Sequence, residues 1–127
     1  MKLISFFGLF ILWNSVSAQE TEEIHYVKID ESCEAGIAEA KQDIENSKYK
    51  LLSYGLILHK DFEFHKFYIG YVAEKYGVIL GDGGCVVSEK TICYSEAMEV
   101  AILQKFGSDF FERIESEARE AYESQSE

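Results

Sequence analysis

The sequence predicts one α+β domain: a small, mostly antiparallel sheet carrying a cysteine-containing hairpin, packed by about four helices. Three observations point there. The stretch Tyr76–Tyr94, YGVILGDGGCVVSEKTICY, holds two of the three cysteines, a GDGG turn and two apolar runs too short and too β-rich for helices. Four longer stretches around it repeat their apolar residues every three or four positions. The chain has 127 residues, and removing an 18-residue leader leaves 109, enough for one domain with its own core.

The leader reads as a signal peptide over residues 1–18. Lys2 gives a positive start, Leu3–Trp13 is apolar but for Ser5 and Gly8, and Val16-Ser17-Ala18 supplies the small residues that precede cleavage. The apolar run is well short of the ~20 residues a membrane-spanning helix needs. The expected location is therefore secreted or periplasmic, with no membrane association once the leader is removed. Lys2 is the only charge in the leader, so the remainder sets 23 acidic side chains against 11 basic ones, a net charge of −12. Such an exterior repels nucleic acid and anionic membranes, and it suits a basic protein partner or plain solubility.

Residues 19–30 are polar and acidic and read as a flexible lead, with the single domain over 31–122 and a frayed tail over 123–127. Asp30 or Ser32 caps a first helix, Glu31–Asn46, with Cys33, Ile37, Ala40 and Ile44 on its inner face. Tyr49–Leu58 follows as the longest strand, apolar at alternate positions and interrupted by Gly55. Its sheet-forming part is placed at Lys50–Leu58. Asp61 caps a second helix, Phe62–Tyr76, ended by Gly77. Val78–Leu80, Cys85–Val87 and Thr91–Tyr94 read as three short strands joined by the GDGG turn and by Ser88-Glu89-Lys90. Ser95 caps a third helix, Glu96–Phe106, with Met98, Ala101, Ile102 and Phe106 inward. Gly107 ends it, and Ser108 or Asp109 begins a fourth helix with Phe110, Phe111, Ile114, Ala118 and Ala121 apolar.

Export allows disulfides. In the expected hairpin a turn centred on Glu89 sets Cys85 opposite Cys93, at a Cα separation of about 5 Å that suits a disulfide. The rival pairings join Cys33 to Cys85 or to Cys93. The odd cysteine is expected to be buried and inert.

Drawn as a strand, His59, Asp61, Glu63 and His65 project from one face as a mixed nitrogen and oxygen ligand set for a divalent metal. Drawn as a helix from Asp61 onward, the set scatters and Asp61 is simply the cap. The aromatic stripe Phe64, Phe67, Tyr68 and Tyr71 suits packing on the sheet, or a ligand-binding face between helix and sheet. Gly81-Asp82-Gly83-Gly84 lacks the lysine and the following helix of a phosphate-binding loop, so it reads as a turn and no cofactor is expected. There is no nucleophile elbow, zinc-protease motif or paired-cysteine redox motif.

In the placing of Cys33, Ala35 and Ala40 ahead of Asp43-Ile44, in Gly84-Cys85, in Cys93-Tyr94 and in Phe106-Gly107-x-Asp109-Phe110-Phe111, the chain resembles small exported proteins of bacterial type. The resemblance spans most of residues 31–115 and implies no particular activity. These readings lead to an exported acidic binding protein, inhibitor- or immunity-like, whose partner is a basic protein. Two alternatives stand beside it: a small metal-dependent hydrolase built on the His59–His65 segment, and a carrier of a small apolar ligand.

Overall fold

The structure, a computed structural model, describes residues 29–55 and 58–125. The leader and most of the acidic lead lie outside the described residues, as do 56–57 and 126–127 at the ends of the expected long strand and tail. Six elements follow in order: α1 (Cys33–Glu45), β1 (Tyr49–Ser53), α2 (Phe62–Tyr76), β2 (Val78–Asp82), α3 (Glu89–Phe106) and α4 (Phe110–Gln125). The α+β class and the four helices stand, but the sheet differs from the expected one. It has two strands, β1 and β2, and they run parallel, with Tyr49 opposite Val78 and Ser53 opposite Asp82.

The parallel pairing follows from what lies between the strands. Parallel neighbours need a crossover long enough to bring the chain back to its starting end, and α2 is that crossover. Asp61 starts α2, its carboxylate accepting the Phe64 N–H at 3.1 Å. Gly77 stops it in the left-handed conformation (φ 66°), and β2 begins one residue later. Along β2, Val78 is buried and Leu80 packs on the core, while Ile79 between them is 55% exposed.

The expected strands Cys85–Val87 and Thr91–Tyr94 do not form. Residues 83–88 are irregular, and α3 starts at Glu89, seven residues before the expected Glu96. The cause is a reciprocal cap: the Ser88 hydroxyl accepts the Thr91 N–H (3.3 Å) and the Thr91 hydroxyl accepts the Ser88 N–H (2.9 Å). Ser88 thus opens a helix whose inner face is Tyr94, Met98 and Ile102 at steps of four. The GDGG segment is not a hairpin turn either. Gly81 and Asp82 belong to β2, and the next residues still pair with the end of β1 and the segment after it, Gly83 N–H donating to Ser53 O (2.7 Å) and Gly55 N–H to Gly84 O (2.9 Å).

The cysteines are corrected with the strands. Cys33 is bonded to Cys93, across a Cα separation of 5.3 Å, and Cys85 is free and exposed. With α3 running through Cys93, that residue leaves the reach of Cys85 and faces the start of α1. The bond suits an oxidising compartment. Around it α1 and α3 approach so closely that a Cβ on Gly36 would lie 2.2 Å from the Lys90 carbonyl oxygen. The inner face of α1 therefore centres on Gly36 and Ala40, and Ile37, expected inward, is 50% exposed.

The core is one cluster: Ala40, Val72, Val78, Met98, Ile102, Phe110 and Ile114 are all fully buried, with Tyr94 beside them. The Tyr94 hydroxyl donates to Asp43 (2.8 Å), so this buried polar group is satisfied. On the other side α2 packs on β2 and on α4. Among the described residues no helix is long and apolar enough to cross a membrane.

Candidate functional site

In a parallel β–α–β unit, recesses form at the carboxyl ends of the strands, where the chain leaves the sheet and the crossover helix begins. This chain has such a recess. A cavity of about 460 Å³ lies between the ends of β1 and β2 and the first half of α2. Its apolar lining includes Leu51, Leu80, Ile69 and Phe111, and polar groups stand among them: Ser53 and Asp82 from the last positions of the paired strands, and His59, His65 and Lys66 from the segment entering α2. That volume and that mixture suit a small organic molecule.

Local sequence explains how the lining is held. The two strands alternate, so Leu51 and Leu80, directly paired across the sheet, face the same side. At the strand ends Gly83 lies against the Tyr54 ring, where a Cβ would sit 2.3 Å from the nearest ring carbon. A side chain at position 83 would have to displace that ring. The Asp82 carboxylate accepts the Gly84 N–H (2.7 Å), and Asp82 has no ion pair among the described residues.

His59 and His65 stack face to face, with ring centroids 3.4 Å apart and planes 15° from parallel. Partial burial, reinforced by His59, lowers the His65 pKa from its ordinary value. Lys66 is the cationic group at the cavity. It lies 3.8 Å from Glu63 in an exposed ion pair and over the Phe62 ring.

The expected metal ligands are not assembled. Asp61 is occupied by the helix cap and lies 3.6 Å from Arg119, and Glu63 turns to Lys66 on the exterior. Among the described residues no three His, Cys, Asp or Glu side chains converge as a metal site. The helix disperses the four residues, and only the two histidines meet.

The aromatic stripe divides likewise. Tyr68 lines the cavity. Phe64 is buried under the Arg119 guanidinium (3.7 Å to the ring centroid) and packs edge-on against Tyr122. Phe67 also meets Tyr122, and the Tyr71 hydroxyl donates to Glu117, which Lys75 also contacts. The hydrogen bonds donated by Lys75 and Tyr71 hold the Glu117 carboxyl below its ordinary range. Three of the four residues therefore fasten α2 to α4, and one faces the sheet-side cavity. Sequence reasoning missed Ser53, Asp82, Leu51, Leu80 and Ile69 as site residues. Their shared signal was the strand–helix–strand order, which brings the ends of two separated strands together.

Comparison with known proteins gives no relative from which a role can be transferred: no protein family, curated protein or solved structure matches this chain.

Proposed function

We propose that the protein is an exported binding protein that takes one small, largely apolar molecule into the cavity at the carboxyl ends of β1 and β2. The observation that carries this reading is the cavity itself, about 460 Å³, lined mostly by apolar side chains with a few polar ones among them. A neutral solvatochromic dye, Nile red, tests it. The expected result is a saturable blue-shifted emission with one dye per chain, abolished in Ile69→Trp, whose larger side chain fills the cavity. An Ile69→Trp protein that stays folded by circular dichroism and binds the dye as before would place binding elsewhere.

A second reading, a basic protein partner, is supported by the net charge of −12 after the leader and by exposed apolar side chains. Val86 is 81% exposed and Val87 52%, with acidic Glu89 close by in sequence. A pull-down from secreted or periplasmic extract tests it, with capture expected at low salt and lost at high salt.

A further inference from the structure

One carboxylate, Asp82, stands in the cavity lining among the described residues without an ion-pair partner, and this selects the ligand. We infer that the cavity is built for a cationic amphiphile, a molecule with an aliphatic or aromatic body and a protonated amine head that pairs with Asp82. The inference rests on the binding reading above and adds the chemical class. Asp82 sits at the carboxyl end of β2 with a carboxylate oxygen engaged only by the neutral Gly84 N–H, and no cation pairs with it among the described residues. Lys66 also lines the cavity, with its ammonium turned to Glu63 at 3.8 Å in an exposed pair. His59 and His65 stack on one another in the cavity wall, and burial disfavours charge on His65. Asp82 is the one carboxylate of the lining among the described residues, and it stands beside Leu51, Leu80 and Ile69. The surrounding field of an acidic chain, −11 in all, attracts a cation and opposes an anion. Ser53, paired with Asp82 across the strand ends, adds a hydroxyl able to accept from an ammonium.

The test uses three chains of equal length with different heads: octylamine, octanol and octanoate, each titrated at neutral pH into methyl-labelled protein. Methyl shifts of Leu51, Ile69 and Leu80 report occupancy. Octylamine is expected to bind about fivefold more tightly than octanol, the ratio for one ion pair in a water-exposed setting, with octanoate weakest. Asp82→Asn keeps the acceptor for Gly84 and removes the charge, so it should bring octylamine to the octanol affinity without changing octanol. Glu89→Gln removes an acid from the start of α3 and should leave the ratio intact. Equal affinity for amine and alcohol, tighter binding of octanoate, or an equal loss in Glu89→Gln would overturn the choice of ligand class while leaving the cavity a binding site. No shift at the three methyls with any compound would remove the binding reading and this inference together.

Discussion

The two halves of the molecule solve the same packing problem in opposite ways. On one side α1 and α3 are drawn into backbone contact, with Gly36 against Lys90 and the Cys33–Cys93 bond across the interface. On the other side α2 meets the sheet through large side chains, and a cavity of about 460 Å³ remains. Small residues and a covalent tie give a filled interface. Aromatic and branched residues on a two-stranded sheet leave room, and that room is where we propose that a ligand is accommodated. Under that proposal the first half carries stability and the second recognition.

The largest expected effect comes from breaking the tie. Cys33 and Cys93 are 60 residues apart in sequence. On the chain-entropy account a loop of that size contributes about 4 kcal/mol, so Cys33→Ser/Cys93→Ser should lose about that much in urea unfolding. The helical glycines come next, and they should differ in sign. Gly36→Ala places a methyl against backbone that cannot rotate away, and a loss of about 3 kcal/mol is expected. Gly70, on the exposed side of α2, has nothing within 4 Å of its would-be Cβ, so Gly70→Ala should gain up to ~1 kcal/mol. Equal effects at the two glycines would erase the contrast between a closed and an open half. Removing the exposed thiol by Cys85→Ser should change stability by less than about 0.5 kcal/mol.

The smallest effect is a pH dependence confined to the cavity side. The folded-state pKa of His65 lies below the unfolded value near 6.5, so the unfolded chain binds more protons between the two. The stack's contribution is complete above 6.5 and is lost as pH falls through the lowered folded value. Denaturation midpoints measured from pH 8 to 5 should therefore decline more in the native protein than in His65→Phe.

Much of the helical layout was legible. Asp61 and Gly77 bracket α2 by ordinary capping chemistry, and the break at Gly107 between α3 and α4 was visible for the same reason. The sheet was misread because Cys85-Val86-Val87 and Thr91–Tyr94 are β-rich locally, while Ser88 and Thr91 together favour a helix start. A cap pairing two hydroxyls is a weaker sequence signal than the usual hydroxyl and glutamate pair. Moving that one start also moved Cys93 from a strand to a helix and changed its partner. The site stayed hidden for a different reason. Ser53 and Asp82 carry no motif, and only the parallel register places them side by side. The histidines were noticed for metal binding, whereas the helix beginning at Asp61 leaves them as a stacked pair in the cavity wall.

The division of labour between the halves is tested most directly by mapping octylamine binding over the methyl groups of the whole protein. The account predicts shifts at Leu51, Ile69 and Leu80, with Met98 and Ile102 of the clasped half unmoved. Shifts centred on Val86, Val87 and Ile92, or spread evenly through the core, would contradict it.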